Sequence, residues 1–532
     1  MTPFGGLEAD TLRGGLYHHG QMQSSQLEQL LSDFLVSARN AVVVEDGEVL
    51  FDLATARYTL SGENGRCVLH MWSPERNVVR RVIDAELKND TLRLAVQRFG
   101  QAKPVKFELW RDRDRRTPTA RRSARIAYKN LLKRVLERQF FGFTIERLTT
   151  DMDLERSFGP AYARGLIRQG KSAFAVLGVN AQEPQATIDA ALTFGILWLD
   201  LCRERASRAY VEGLKLYLPR GTSAVVRERI AHLDEHAAKW QIYELDERTG
   251  EAIEMDCADR GNIETRLVHA PDTTATLERF ADPVARIMSL VPQAEVAVLS
   301  SAEITFRLHG LEFARAEVAP SATSFRNAVR VVFGTGANET ELTEVNEDQF
   351  AELVRRVAEL RQPGAARNNA VWRMCPERWL ESLVVQNVTA IDERLDPACV
   401  YSQVPAFTAA DRAMIDVLTC TKSGRLALIE LKADEDMHLP LQAVDYWSRV
   451  VWHQQRGEFQ RFGYFPGREL STEPPLLLLV APALRIHSTI DTVLRYIAPE
   501  INATLVAVDE RWREGVRVVF RKRRNAGVRQ TL

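Results

Sequence analysis

The stretch that decides the fold runs over residues 412–433 and reads RAMIDVLTCTKSGRLALIELKA. Two apolar runs flank a turn at residues 422–425, and this pattern predicts a β-hairpin. Glu430 and Lys432 are two residues apart on the second strand, so both project from one face, while the residue between them points to the other. Asp416 lies near the end of the first strand and is expected beside them across the hairpin.

Two carboxylates and an ammonium converge at the edge of this otherwise apolar hairpin. Burying them costs free energy, which favours a functional site. Hard oxygen ligands suit Mg²⁺, which binds through one or two carboxylates and keeps several waters. Lys432 would then direct its charge toward a phosphate or toward the attacking water. The alternative is a solvated pair of Glu430 and Lys432, which is common on strands.

Helices are predicted on both sides of the hairpin. Upstream, Pro376 begins a helix in CPERWLESLVVQNV. Downstream, the segment LPLQAVDYWSRVV begins a second helix, in which Gln442 and Tyr446 are four apart and share a face. The chain then alternates strand, helix and strand. This order predicts a compact α/β core.

The chain resembles the PD-(D/E)XK nuclease superfamily, and most closely its RecB-like branch, through these residues: Asp416, Glu430, Leu431, Lys432, Gln442 and Tyr446. The resemblance covers residues 370–530. It implies a restriction-endonuclease-like α/β core, with a central mixed sheet flanked by helices. Ile415 stands where the family often has proline, at a position that is loose in the family.

The resemblance also implies roles for these residues. Asp416, Glu430 and the Leu431 carbonyl would bind Mg²⁺, with Mn²⁺ as a substitute. Lys432 would orient or activate the attacking water.

Further site residues are implied on the two helices. Gln442 and Tyr446 would shape the substrate side of the site. Glu381, on the upstream helix, would offer another acid. Glu377 competes with it for that role, because it lies one turn earlier on the same face.

The whole chain reads as a multidomain α/β and α+β protein. We predict an N-terminal α+β domain with a basic helix (1–149), an α/β domain (150–260), a β-rich α+β domain (261–365) and the nuclease domain (366–532). The last boundary lies in RQPGAARNNA, which is rich in small and turn residues. The second domain has the strand and helix order of the later part of a nuclease core but lacks D…E-x-K. It is either a degenerate copy or an unrelated domain.

A basic segment lies at residues 111–138, with eleven basic residues against three acidic ones. Its second half has helical spacing of apolar residues, which predicts an amphipathic helix. The residues expected to contact a nucleic-acid backbone are Arg121, Arg122, Arg125, Lys129 and Lys133. The alternative is a helix whose charged face is only solvated, because most runs of charged residues are solvated surfaces.

Composition gives little direct information about partners. Lys and Arg number 70 and Asp and Glu 71, so net charge argues for no nucleic-acid partner. Six scattered cysteines without a C-x-x-C pair indicate reduced thiols in the cytoplasm. No signal peptide is predicted, and the most apolar stretch, residues 190–202, is shorter than the roughly 18 residues of a membrane span. We therefore expect a cytoplasmic protein with a buried apolar helix and no membrane partner.

The sequence predicts a Mg²⁺-dependent endonuclease that hydrolyses phosphodiester bonds in DNA, in preference to RNA, in defence or repair. The alternative is a catalytically inactive protein that keeps the nuclease fold and binds or senses nucleic acid. A homodimer is left open. His232 and His236 are four apart on an expected helix, but without a third ligand they predict a surface helix and not a metal site.

Overall fold

The computed structural model describes residues 24–38, 41–45, 48–53, 56–62, 67–72, 77–88, 91–98, 104–111, 118–153, 156–207, 209–259, 263–320, 327–335, 338–408 and 412–523. The chain is a mixed α/β protein with several sheets. It divides into two compact units. The first contains the described residues up to Val135 together with those in 150–163 and 247–250. The second contains the remaining described residues.

The first unit contains a seven-stranded antiparallel sheet and an amphipathic helix. Its elements are α1 (Ser24–Ser37), β1 (Val42–Glu45), β2 (Glu48–Asp52), β3 (Arg57–Ser61), β4 (Cys67–Trp72), β5 (Asn77–Lys88), β6 (Thr91–Arg98) and β7 (Val105–Trp110). The strand order is β2-β1-β7-β6-β5-β4-β3. Leu27, Leu31 and Phe34 recur at helical spacing, so one face of α1 packs into a core with alternate strand residues.

The next sheet has six strands and follows helix α2 (Pro118–Gln139). Its elements are β8 (Thr144–Thr149), β9 (Tyr162–Gln169), β10 (Ser172–Val179), α3 (Gln185–Asp189), α4 (Ala191–Arg205), β11 (Tyr210–Pro219), α5 (Ala224–Ile230), β12 (Lys239–Asp246) and β13 (Glu251–Met255). The order is β13-β12-β11-β10-β9-β8, and β10, β11 and β12 are parallel. These strands lie in the second unit, except for Tyr162 and Ala163 at the start of β9, which belong to the first.

Helices α3 and α4 form a nearly continuous apolar stretch, Gln185–Arg205, of 21 residues. By length and composition alone this stretch could cross a membrane, so the prediction that it is too short was wrong. Of its most apolar window, 67% is buried inside the protein. Leu192, Ile196 and Leu199 of α4 are fully buried, as in a core helix covering a sheet.

A five-stranded antiparallel sheet follows in the second unit. Its elements are α6 (Thr273–Arg279), α7 (Ala281–Leu290), β15 (Glu295–Ser300), β16 (Glu303–Leu308), β17 (Leu311–Pro320), β18 (Asn327–Thr335), β19 (Asn338–Glu341) and α8 (Glu347–Leu360), and strand β14 (Thr265–Leu267) precedes them. The strands pair in sequence order, which makes the sheet a meander. Phe280, between α6 and α7, fills its core together with Ile287 of α7 and Phe350 of α8.

The C-terminal sheet has seven strands and is mixed. Its elements are α9 (Ala370–Arg373), α10 (Pro376–Gln386), β20 (Leu395–Thr408), β21 (Arg412–Thr421), β22 (Leu426–Leu431), α11 (Leu439–Gln455), α12 (Glu458–Arg461), β23 (Leu476–Pro482), α13 (Ile490–Tyr496), β24 (Ala503–Val508) and β25 (Val518–Arg523). The order is β14-β20-β21-β22-β23-β24-β25. Strands β20 to β22 are antiparallel, and β22, β23 and β24 are parallel.

Strand β22 is buried along its whole length because the sheet is covered on both faces. Leu428 belongs to the core that includes Val444 of α11, whereas Ile429 belongs to the core that includes Trp379 of α10. Two covered faces explain why this strand reads as a continuous apolar run. The predicted hairpin, with its turn at residues 422–425, is confirmed.

Two details differ from what the sequence predicted. Strand β14 pairs with β20 at the edge of the C-terminal sheet, although residue 265 had been placed in the preceding β-rich domain. Helix α5 ends at Ile230, so the helix expected across His232 and His236 was wrong. Local sequence pattern cannot reveal an edge strand that is recruited from more than a hundred residues away.

The six-stranded sheet and the C-terminal sheet share one topology. Strands β8 to β13 and strands β20 to β25 each pair in sequence order. In each set a helix precedes the first strand, and two helices link the third strand to a parallel fourth. One further helix links the fourth strand to a parallel fifth, and the sixth strand is antiparallel to the fifth. Strands β9 and β10 are neighbours joined by two residues, a connection that only an antiparallel pair permits.

Candidate active site

Asp416 and Glu430 stand side by side on the hairpin. Val417 of β21 pairs with Ile429 of β22, so the next position along the antiparallel ladder brings the two carboxylates together. One oxygen of Asp416 accepts a hydrogen bond from the backbone amide of Leu431 at 3.0 Å. Glu430 is 2% exposed. The hairpin therefore places two acids side by side near the C-terminal end of the buried central strand β22.

Lys432 completes this group directly after the last residue of β22. Its amide continues the ladder by donating to the Val480 carbonyl at 3.0 Å, so the strand spacing of Glu430 and Lys432 is preserved. The Lys432 Nζ lies 3.4 Å from Glu430 Oε1. Burial lowers the pKa of Lys432, but Glu430, Glu377 and Asp416 together raise it above its ordinary value. The ammonium is therefore charged at neutral pH.

Helix α10 brings two further acids to this group. Glu381 is buried and lies close enough to Asp416 for each charge to affect the other. Glu377 lies one turn earlier at the surface, where it interacts with Lys432 and accepts a hydrogen bond from the Ala433 amide. Both acids predicted as competitors on this helix face therefore reach the site.

Gln403 was not predicted and joins the acids. Its Nε2 donates to Glu381 Oε2 at 2.9 Å and lies 3.4 Å from Asp416 Oδ1. Gln403 is in the middle of β20 with φ 53°, a left-handed conformation that costs a non-glycine residue free energy. Its neighbours Ser402 and Val404 keep their pairing with β21, so the distortion turns one side chain toward the acids. No local sequence signal marks such a residue.

The buried carboxyl groups of this site all have raised pKa values. Burial raises the pKa of Glu430 well above its ordinary value; nearby Asp416 raises it further, and Lys432 opposes the shift. Burial also raises the pKa of Asp416 and of Glu381. One oxygen of Glu430, Oε2, is buried without a hydrogen-bond partner. The cluster has more carboxylate than its own cations neutralise, which is the condition that a bound cation relieves.

The entry to α10 is fixed from the neighbouring meander. Arg361 is 1% exposed and donates to backbone carbonyls, among them Met374 at 2.6 Å and His309 at 2.9 Å. A Cβ on Gly310 would lie 2.0 Å from the Arg378 carbonyl, and Gly310 has φ +69°, so this position requires glycine. The meander thus sets where Glu381 stands.

Gln442 and Tyr446 lie half-buried on α11, as their spacing predicted. Tyr446 packs against the core, and the Arg449 guanidinium lies 5.6 Å from the centre of its ring. The side-chain hydrogen bonds and the ion pair described above within the acid cluster come from Glu381, Gln403, Asp416, Glu430 and Lys432. The substrate-side role of Gln442 and Tyr446 stays a prediction.

The predicted nucleic-acid contacts lie on α2. Tyr128, Leu132 and Val135 are buried, which confirms the amphipathic helix. Of the predicted basic residues, three are exposed: Arg121, Arg122 and Lys133. The other two, Arg125 and Lys129, are half-buried. Their contact with nucleic acid stays a prediction.

A second group of candidate ligands lies elsewhere in the same sheet. Asp396, Cys399 and Cys420 place their ligand atoms within 4.8 Å of one another, and no other such trio of His, Cys, Asp or Glu occurs among the described residues. Arg468 already pairs with Asp396 at 2.5 Å, and burial raises the pKa of Cys420 to about 12. These are the properties of buried thiols and a satisfied acid. Among the described residues, the acid cluster does not bring three such ligand atoms within that distance, so a cation there would be held by two carboxylates and further oxygens.

No protein-family model matches the chain, and no curated protein matches it in sequence. Functional assignment therefore depends on the geometry of the site.

Proposed function

We propose that this protein is a divalent-metal-dependent nuclease that hydrolyses phosphodiester bonds in DNA. The observation that carries the proposal is Glu430, a buried carboxylate with one unpartnered oxygen, held beside Asp416 and Lys432. Such a group costs folding free energy unless something binds it. A divalent cation bound by the acids, beside the Lys432 ammonium, would be the partner that the Glu430 oxygen lacks. Its binding would also explain why these charged groups are buried together.

The fold around the site supports the same proposal. Helix α10, three antiparallel strands, helix α11 and the parallel strand β23 follow in the order that the resemblance to PD-(D/E)XK nucleases implies. We therefore propose a restriction-endonuclease-like core for residues 366–532.

The residues present fit Mg²⁺, with Mn²⁺ as a substitute. Asp416, the unpartnered Glu430 oxygen and the Leu431 carbonyl are hard oxygen donors, and Mg²⁺ needs only one or two carboxylates. When bound, the cation would polarise the phosphate and make a water more acidic. Gln403 keeps Asp416 and Glu381 in place by donating one amide group to both.

Lys432 has the remaining task near the scissile phosphate. Its charge is maintained by the surrounding carboxylates, and it would stabilise charge that develops on the phosphate or orient the attacking water. We propose Gln442 and Tyr446 as groups that contact the substrate. We also propose that the basic residues of α2 bind the DNA backbone, and that the protein acts in the cytoplasm in defence or repair.

The test is a cleavage assay with matched variants. Purified protein is incubated with supercoiled plasmid, linear duplex, single-stranded DNA and single-stranded RNA, with Mg²⁺, Mn²⁺ or EDTA. We expect DNA cleavage that needs the metal and is lost in Asp416→Asn and Lys432→Met proteins. Glu500→Gln, an exposed acid in the same domain, is the control and should cut normally.

Two outcomes would contradict the proposal. Cleavage that persists in both site variants would place the activity elsewhere. Salt-dependent DNA binding without cleavage, unaffected by metal, would support the alternative of an inactive nucleic-acid-binding protein.

A further inference from the structure

The two sheets of shared topology can be aligned residue by residue. Strands β11 and β23 both end in proline, and Pro219 pairs with Leu245 as Pro482 pairs with Val508. Counting back along the parallel ladders, Leu177 pairs with Leu216, and Glu430 pairs with Leu479. Each of these partners lies three residues before its proline. Leu177 is therefore the counterpart of Glu430.

The first copy, defined as residues 144–255, has no acid site at this position. Leu177 and Val179 are fully buried at the positions that correspond to Glu430 and Lys432. Strand β9 (YARGLIRQ) and strand β10 (SAFAVLGV) contain no aspartate or glutamate. Two carboxylates cannot meet on this hairpin, so the first copy cannot form the site proposed for the second copy, residues 376–523.

The two copies pack against each other through equivalent helices in exchanged roles. Helix α4 of the first copy contacts α13 of the second, and α5 of the first contacts α11 of the second. In each copy, α4 or α11 follows the third strand, and α5 or α13 follows the fourth. Such reciprocal contacts are the mark of a two-fold interface between identical subunits.

The ion pairs between the copies repeat this exchange. Arg229, the sixth of seven residues in α5, bonds Asp445 of α11 at 2.8 Å. Arg495, the sixth of seven residues in α13, bonds Asp200 of α4 at 2.9 Å. The same helix position thus provides the cation in both copies, and the long helix provides the acid.

An isolated antiparallel bridge lies where the two-fold axis would pass. Leu233, after α5, pairs with Ile497, after α13. The Asp234 amide donates to the Tyr496 carbonyl at 2.8 Å, and the Ala498 amide donates to the His232 carbonyl at 2.9 Å. The two bonds are symmetric about the central pair. The helical face that a second chain would use is therefore covered within this chain.

We propose that the first copy takes the place of a second subunit, so that one chain acts alone with one acid site and cuts one DNA strand per binding event. The proposal rests on the nuclease function proposed above. The sequence left a homodimer open. We propose instead an internal pseudo-dimer, in which the first copy lacks the acid site and is not catalytic.

A mixing experiment tests this directly. Wild-type protein is mixed with Asp416→Asn protein at a fixed total concentration, and conversion of supercoiled plasmid is followed with Mg²⁺. If one chain acts alone, an equal mixture keeps about half of the rate, and open circles accumulate before linear DNA. If two live chains must meet, the equal mixture keeps about a quarter, and linear DNA forms without open circles. The second result would overturn the proposal.

Sedimentation of the full chain, with and without a short duplex, gives an answer that does not need cleavage. We expect the mass of one chain without DNA, and the mass of one chain plus one duplex when DNA is added. A mass of two chains would overturn the internal pseudo-dimer even if no DNA is cut. Absence of cleavage with the mass of one chain would instead reject the nuclease function and leave the pseudo-dimer supported.

Discussion

The first and second copies have the same topology but differ in the residues at the end of their third strand, which are apolar in the first copy and charged in the second. In the first copy, Leu177 and Val179 fill the interior, and the strand is a structural element only. In the second copy, Glu430 and Lys432 occupy the corresponding positions, and the carboxylate lies buried with an unpartnered oxygen. The fold evidently does not need the charged pair. The charges are therefore a cost to stability that a function must explain.

The copies also differ in what holds their surroundings in place. The acid site draws on elements outside its own hairpin, because Gln403 comes from β20 and Arg361 fixes α10 from the neighbouring meander. Arg229 of the first copy holds Asp445, which lies between the predicted substrate-side residues Gln442 and Tyr446. The first copy thus helps to position α11 of the second copy.

The largest expected effect is on cleavage. Asp416→Asn should reduce Mg²⁺-dependent DNA cleavage by about a thousandfold, because it removes a charge on which both the metal and the electrostatics of the site depend. The rate of plasmid nicking under single-turnover conditions measures this. A loss of less than about tenfold would mean that the two copies do not differ in catalytic capacity as proposed.

The interface between the copies should respond unequally to loss of its two arginines. Arg229→Ala leaves Asp445 in a mostly buried position and should lower the free energy of unfolding by roughly 3–5 kcal/mol. The Arg495 side chain is 47% exposed, so Arg495→Ala should cost about 1 kcal/mol or less. Urea denaturation of both variants checks the difference. Equal losses would contradict the burial argument.

Giving the second copy the residues of the first should stabilise the protein. In Glu430→Leu/Lys432→Val, the expected gain in the free energy of unfolding is roughly 1–4 kcal/mol, because two buried charges give way to side chains that the same strand position accepts in the first copy. Cleavage should be lost in the same protein. A loss of stability would show that the charged pair is a structural requirement of the second copy.

Metal binding should stabilise only a protein with an intact site. At a Mg²⁺ concentration ten times the dissociation constant, the wild-type chain should gain about 1.4 kcal/mol, seen as a higher melting temperature. Asp416→Asn should show no gain, and Glu500→Gln should match the wild type. An equal rise in all three proteins would indicate metal binding outside the acid cluster.

Much of the local structure around the site was predictable. Period-two spacing put Glu430 and Lys432 on one face, and the polar turn at residues 422–425 made the hairpin that brings Asp416 to them. Helical spacing likewise gave the buried face of α2. These patterns are local, so the residues that make them lie within a few turns or one hairpin of each other.

Other contacts could not be predicted because they join distant parts of the chain. Gln403 lies 22 residues from Glu381 and reaches it only through a left-handed backbone conformation inside a strand. Strand β14 joins its sheet across more than a hundred residues. Arg229 and Asp445 are 216 positions apart. Nothing in the immediate neighbourhood of any of these residues specifies the partner.

The sequence by itself determined the hairpin and the three charged groups on it, since strand periodicity and turn chemistry act over a few residues. It left open whether residues 150–260 are a degenerate copy of a nuclease core or an unrelated domain. Only the tertiary structure decided that the two copies share one strand order and pack with exchanged helices. It also decided which side chains hold the acids and which acid oxygen lacks a partner. Those features depend on long-range packing, in which burial and charge are set by residues that are far apart along the chain.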